Sequence, residues 1–399
     1  MADTALPQVD SALLEEADAG LAEAVALRRR LHAHPELGLA LPRTQQAVLE
    51  ALDGLGLDLS VGEATTSVTA VLDGGRPGPT TLLRGDMDAL PLLEDTGLPF
   101  ASEVDGVMHA CGHDAHVAML AGAARILAAR RAQVAGRVVF MFQPGEEGFA
   151  GARLMLDEGL LESAGPVDRA FAIHVTPIFP SGTVATRTGT LMASADAFRA
   201  TVTGRGGHAS MPHDAIDPVP VACEIVTALQ SMTTRRLPAF DPAVVTVASI
   251  RAGTTNNVIP EHAVLEGTVR AISESSRALA LDGVRRVVEH VAAAHLCSAE
   301  ITPILVGYPV TVNNAAAAER ALMVAAALLG PERTLRMPTP VMGAEDWSFV
   351  LQRVPGSMAF LGAAPIGVER PAPNHSNRMV IDEPAMATGM ALYAAMALA

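Results

Sequence analysis

The sequence predicts an α/β protein whose larger domain, built on a mainly parallel sheet, is interrupted by a smaller βαββαβ domain. Three observations carry this expectation. Short β-rich runs alternate with helical ones through most of the chain. Between about residues 193 and 306 that rhythm gives way to strand, helix, two strands, helix, strand, which is the split-βαβ or ferredoxin-like order. The 399 residues, half of them hydrophobic, are enough for two cores. The boundaries follow as 1–192 with 307–399 for the larger, discontinuous domain and 193–306 for the insertion.

The elements read in order. Leu14, Leu21, Val25 and Leu31, spaced among charged residues, predict a helix over 12–33 that ends at His34-Pro35-Glu36-Leu37-Gly38. A second helix covers about 43–55. Strands follow at 67–72 and 80–84, then a strong helix over 115–131 with Asp114 at its N-cap, then strands at 137–143, 169–175 and 184–187. The insertion contributes strands at 197–203, 243–251, 263–271 and 300–305, with helices at 216–232 and 274–294. The chain resumes with a helix at 314–329, a strand at 357–361 and an apolar C-terminal helix. That last run, from Ala385, is about 15 residues, short of the ~18 that suggest a membrane span.

Composition narrows the function classes. The chain carries 28 basic and 43 acidic residues, net charge −15, and every basic residue is arginine. Such a surface is a poor partner for nucleic acid or an anionic membrane, and the absence of lysine excludes Schiff-base chemistry. The N-terminus lacks the basic and apolar regions of a signal peptide. Three widely spaced cysteines, Cys111, Cys223 and Cys297, are no disulfide framework and favour a reducing compartment, hence a cytoplasmic protein.

Five segments carry candidate chemistry. In Met108-His109-Ala110-Cys111-Gly112-His113-Asp114-Ala115-His116, one glycine separates a thiol from an imidazole just before a helix, and both groups suit a first-row metal. A buried cysteine beside a capping loop would read the same way. Gln143-Pro144-Gly145-Glu146-Glu147-Gly148 follows an apolar strand, where α/β folds build their sites. Its adjacent carboxylates point apart, so one could bind metal while the other accepts a proton; a solvated acidic turn is the alternative. Arg84-Gly85-Asp86-Met87-Asp88 also stands at a strand end and supplies either an orienting acid or an exposed cap. His174 at the end of a strand and His375 in a polar turn are isolated histidines. Together one cysteine, three histidines and one glutamate are too many for one tetrahedral zinc and suit two metals sharing a bridge. In the insertion, glycine-rich turns present His208 and the pair Asn256 and Asn257, as an oxyanion donor and a substrate grip or as ordinary β-turns.

The ordered set RGDMDALP, MHACGHDAH, QPGEEG, IHV, GRGGHAS, TTNNVIP, GTVR, MGAEDW and NHS resembles the M20 family of metallopeptidases, in its amidohydrolase branch of hippurate hydrolases and N-acyl-amino-acid amidohydrolases. The resemblance spans nearly the whole chain. It implies a dinuclear-metal hydrolase domain with an inserted lid or dimerisation domain, and a homodimer or homotetramer formed through that insertion. It implies two divalent ions, Zn, Mn, Co or Ni, bridged by Cys111, with His113 and His174 at one and Glu147 and His375 at the other. Glu146 becomes the general base toward a metal-activated water, Asp88 the supporting acid, and His208 the oxyanion donor, from this chain or a partner subunit. Asn257, Asn256 and Arg270 would recognise the carboxylate of an N-acyl amino acid. Where many relatives have His-x-Asp this chain has Asp86-Met87-Asp88, so Asp86 is doubtful as a ligand. An exopeptidase acting on small peptides is the alternative reading. A Cys111 nucleophile would leave Glu147, His174 and His375 without a role, and nothing in the sequence favours a non-catalytic binding protein.

Overall fold

A computed structural model describes residues 9–163, 165–303 and 307–399. The chain divides into two compact units. The larger comprises the chain up to Leu191 with Val312–Thr339 and Asp346–Ala399; the smaller comprises Met192–Thr311 and Pro340–Glu345. The short return of 340–345 to the smaller unit has no counterpart in the sequence expectation; it is held there by a bond from the Ala193 N–H to the Val341 carbonyl at 3.0 Å. The expected boundary at 306 and the end of the strand expected at 300–305 lie outside the described residues, as does the start of the N-terminus.

The larger unit is built on an eight-stranded sheet in the order Asp58–Val61, Val68–Asp73, Ala135–Gln143, Arg76–Asp86, Arg169–Thr176, Gly356–Gly362, Val184–Thr186, Thr334–Arg336. Its centre is parallel: Arg76–Asp86 runs beside both Ala135–Gln143 and Arg169–Thr176, and the latter beside Gly356–Gly362. Val138–Gln143 is buried without a break, the pattern of a strand covered on both faces. Helices Ala12–Ala33, His113–Ala129 and Ala385–Leu398 pack against one another. The C-terminal helix is buried almost all round, which explains its uninterrupted apolar sequence. Its Tyr393 ties the central strands together, donating to the Arg84 carbonyl at 2.6 Å and accepting from the Ile173 N–H at 3.1 Å.

The smaller unit contains an antiparallel four-stranded sheet ordered Ala243–Ala252, His262–Ala271, Asp196–Thr203, Ser298–Pro303. Helices Pro218–Arg236 and Glu274–Ala294 pack on it around Phe198, Ile225, Leu229, Leu265 and Val288. The chain order is βαββαβ, as the sequence rhythm predicts.

One expectation is corrected. Asp114 is not an N-cap: the helix begins at His113 with Gly112 as its N-cap. The Asp114 carboxylate is instead buried against Arg28 Nε at 3.0 Å and His32 Nδ1 at 2.8 Å. Gly112 stands at φ +89°, and a Cβ there would collide with Val175 Cγ2, so only glycine lets the chain turn between Cys111 and His113.

Candidate metal centre and its surroundings

Four segments of the larger unit meet at the carboxyl ends of its central strands. Arg76–Asp86 delivers Asp86 and, just beyond, Asp88; Ala135–Gln143 leads into Glu146 and Glu147; Arg169–Thr176 carries His174; and the loop before helix His113–Ala129 carries Cys111. The turn containing His375 joins them. The His375 N–H donates to the Ala110 carbonyl at 2.7 Å, and Asn374 Nδ2 donates to the carbonyls of Cys111 at 3.0 Å and Val175 at 3.1 Å. These bonds hold His375 at φ +68°, a left-handed conformation that costs a non-glycine residue about 1–2 kcal/mol.

Of the groups whose ligand-type atoms all lie within 4.8 Å of one another, two share Cys111: Cys111 with His113 and His174, and Cys111 with Glu147 and His375; Asp86 with His113 and His116, and His113 with Glu146 and Glu147, converge as closely. The Cys111 Sγ lies 3.3 Å from His174 Nε2, close to the roughly 3.6 Å that separates sulfur and nitrogen on one tetrahedral ion. His174 Nδ1–H donates to the Val175 carbonyl at 2.8 Å, leaving the Nε2 lone pair toward the sulfur. His113 is oriented alike: Nδ1–H donates to the Asp88 carbonyl at 2.8 Å, so Nε2 points away, 3.2 Å from Asp86 Oδ2 and 4.0 Å from Glu147 Oε1. His113 Nε2 is buried with no hydrogen-bond partner of good geometry among the described residues, whereas Asp86 Oδ2 also faces Arg84 Nη1 at 2.8 Å and Glu147 Oε1 also faces His375 Nε2 at 3.2 Å. Unmatched buried donors and acceptors are costly in a low dielectric. A thiol, imidazoles and a carboxylate converging in this way fit a pair of first-row divalent ions.

The charges agree with that reading. Burial opposes the charge on His113, yet the Asp86 carboxylate, with Asp88 and Glu147, raises its pKa to about 10. The pocket therefore calls for a cation even where only a proton is available. His174 moves the other way: burial, then the neighbouring His116, keeps its ring neutral. Burial works against the Glu147 carboxylate as well, but the bond from His375 and the charge of His113 hold its pKa below the usual range.

Asp88 accepts the backbone N–H groups of Glu146 at 2.9 Å and Glu147 at 3.0 Å. It thus fixes the acidic turn with its carboxylate and His113 with its carbonyl. Asp86 is fully buried and lies 2.8 Å from Arg84 Nη1. It accepts from His116 Nδ1–H, because His116 Nε2 is already occupied as acceptor of the Val175 N–H at 2.8 Å. Asp86 and His116 thus form a support behind His113. Sequence reading had no role for His116, Arg84 or Asp346. The usable signal was Arg84, a charge in the apolar run Thr81-Leu82-Leu83, which needs a buried counter-charge somewhere in the fold.

The remaining candidates belong to the smaller unit. Gly207–His208 pairs antiparallel with Val258–Ile259, and the Ala209 N–H donates to the Asn257 carbonyl at 3.1 Å, so His208 and Asn257 lie on one short ribbon. His208, Asn256 and Asn257 are exposed. His208 Nδ1 accepts from Ser210 Oγ at 2.7 Å and from the Ser210 N–H at 3.1 Å, which leaves Nε2–H as a free donor. Arg270 is half-buried, and its Nη1 donates to the Val269 carbonyl at 3.3 Å. Burial, only partly offset by Asp196, lowers its pKa from the ordinary arginine value.

Comparison with known proteins agrees. The family model for peptidase family M20/M25/M40 matches residues 82–399. The chain is 38% identical over 377 residues to thermostable carboxypeptidase 1 of Saccharolobus solfataricus, covering 94% of each. It is 38% identical over 375 residues to N-acetylcysteine deacetylase of Bacillus subtilis, covering 94% of this chain and 96% of that one. Among solved structures, the Bacillus subtilis YXEP protein, a dinuclear metal-binding M20 peptidase, superposes with a TM-score of 0.82 at 34% identity, covering 96% of this chain and 98% of that one.

Proposed function

The chain belongs to peptidase family M20/M25/M40 and is a hydrolase, and on that footing we propose that it cleaves the amide bond of N-acyl amino acids to a carboxylic acid and a free amino acid. The observation that carries this is Cys111, shared by two trios of ligand-type atoms beside the Glu146–Glu147 turn. Cys111, His113 and His174 would hold one divalent ion and Cys111, Glu147 and His375 the other. Bound there, zinc, manganese, cobalt or nickel supplies Lewis-acid polarisation and a lowered water pKa. Glu146 is the general base: it takes the proton of the attacking water and returns it to the departing nitrogen. Asp88, accepting the N–H groups of Glu146 and Glu147, fixes the backbone of the turn that carries base and ligand. His208, with Nε2–H free, is assigned the developing oxyanion, from this chain or a partner subunit. Asn256, Asn257 and Arg270 are assigned the substrate carboxylate. Cys111, which is in no disulfide, suits a reducing compartment such as the cytoplasm, and the smaller unit is the assigned assembly surface of a homodimer or homotetramer.

The test is release of free amino acid from N-acetyl, N-benzoyl and N-indoleacetyl substrates by metal-stripped protein reloaded separately with each of the four ions. Glu146→Gln is expected to retain both ions and lose about 10²–10⁴-fold in kcat; near-normal turnover in that variant removes Glu146 from the mechanism. A second reading, a carboxypeptidase on small peptides, has the Saccharolobus relative in its favour. Cleavage of dipeptides with no release from any N-acyl amino acid would select it.

A further inference from the structure

A buried charged cluster lies under the acidic turn. Arg84 is inaccessible, donates from Nε to Gln143 Oε1 at 2.9 Å and from Nη2 to Asp346 Oδ1 at 3.0 Å, and faces Asp86 through Nη1. Asp346 is equally inaccessible and also accepts from Gln143 Nε2 at 2.8 Å and from the Ala152 N–H at 2.9 Å. Gln143 ends the strand that precedes the turn, and Ala152 is the second residue of the helix that follows it. One carboxylate therefore clamps both ends of the segment carrying Glu146. The backbone N–H of the same residue donates to Glu146 Oε1 at 3.4 Å.

A buried ion pair is seldom the most stabilising way to fill a core, because apolar residues of similar volume pack there without desolvating charge. What Asp346 does provide is direction, since its carboxylate oxygens fix the strand end and the helix start while its backbone N–H donates to the Glu146 carboxylate. We propose that Asp346 is a positioning residue for Glu146, holding the general base at the angle needed for proton transfer. The proposal rests on Glu146 being that base. Arg84 and Gln143 serve it by donating to the Asp346 carboxylate and fixing its orientation.

The experiment is a double-mutant cycle on N-acetyl amino acid hydrolysis, with metal content and melting temperature measured on each variant. Asp346→Asn sets an amide N–H₂ against a ring of donors. It is expected to lower kcat about 30- to 100-fold, the scale of a misplaced catalytic group, with KM within threefold and two ions per chain retained. Combined with Glu146→Gln, it is expected to cost less than a further threefold, because the group it positions is already disabled. Adding Gln143→Glu to Asp346→Asn reverses the amide–carboxylate pair beside Arg84 and is expected to restore kcat to within about fivefold. If Asp346→Asn does not accumulate folded, Gln143→Ala, which removes the Nε2 donor and leaves the Arg84–Asp346 pair, enters the same cycle. Loss of ions, a rise in KM at unchanged kcat, full multiplication with Glu146→Gln, or no rescue by the swap would each overturn the positioning role. When Glu146→Gln is crippled but the two losses multiply, this inference fails alone. When Glu146→Gln is near normal, the general-base reading fails and takes this inference with it.

Discussion

The Cys111 centre of the larger unit and the His208 ribbon of the smaller one are built to opposite standards. At the centre, Cys111, His113 and Glu146 are buried, and the imidazoles of His113 and His174 are each held by a bond at the far nitrogen. Further buried charges are paired in turn: His116 and Arg84 hold Asp86, and Arg28 and His32 hold Asp114 in the first turn of helix His113–Ala129. The ribbon is two residues paired with two, His208 on it is exposed, and among the described residues its ring accepts from Ser210. The difference follows from dielectric. Charged groups that share a dry pocket interact strongly and must be placed before the reaction, whereas an exposed donor is solvated until it meets its acceptor.

Breaking the centre has the largest expected effect. Cys111→Ser removes the atom common to both ligand groups, so ion content measured by elemental analysis is expected to fall below one per chain and hydrolysis by more than about 10³-fold. Two retained ions in that variant would refute the shared-thiolate arrangement. On the ribbon, His208→Ala is expected to cost about 10²-fold in kcat, as for loss of one oxyanion donor, with ion content unchanged. An unaltered kcat removes His208 from the chemistry.

The buried Arg28–His32–Asp114 cluster at the start of helix His113–Ala129 is tested through pH. Burial disfavours charge on His32, but Asp114 and Glu94 raise its pKa to about 9. The folded value lies above the unfolded 6.5, so the stabilisation is complete below about pH 6.5 and is lost as pH rises through about 9. The shift corresponds to roughly 3 kcal/mol. Urea unfolding at pH 6 and pH 10 is expected to show that fall in wild type and not in His32→Gln; equal slopes would refute it. The smallest effect is on the ribbon. Ser210→Ala frees His208 Nδ1 from one donor and is expected to lower kcat about two- to fivefold, with a tenfold or larger loss marking Ser210 as more than an orienting group.

Much of this was legible in the sequence for a local reason. Alternating apolar patterns and turn residues specify elements wherever burial is one-sided or complete, so helix Ala12–Ala33, helix Glu274–Ala294 and the βαββαβ order are readable from composition alone. Edge strands Asp58–Val61 and Thr334–Arg336, short and largely exposed, carry no such pattern and went unread. The five ligand-type residues were legible because thiol, imidazole and carboxylate are scarce beside glycine turns. Their supports were not. Asp114 reads locally as a cap, but the free energy of pairing two buried cations on helix Ala12–Ala33 decides its place. Asp346 stands 203 residues from Gln143 and 194 from Ala152, with nothing in its neighbours to announce the bond.

The sequence by itself determined the elements and their order, the acidic lysine-free surface and the inventory of groups able to meet a metal or move a proton. Tertiary structure alone decided which nitrogen each histidine presents and which carboxylate turns toward the ligand cluster, as Glu147 does, and which holds others in place, as Asp88, Asp86 and Asp346 do. The reason is physical. Backbone propensity and hydrophobic period act over a few residues, whereas a tautomer, a carboxylate's orientation and a buried charge's partner are set by hydrogen bonds between segments that only the folded sheet brings together.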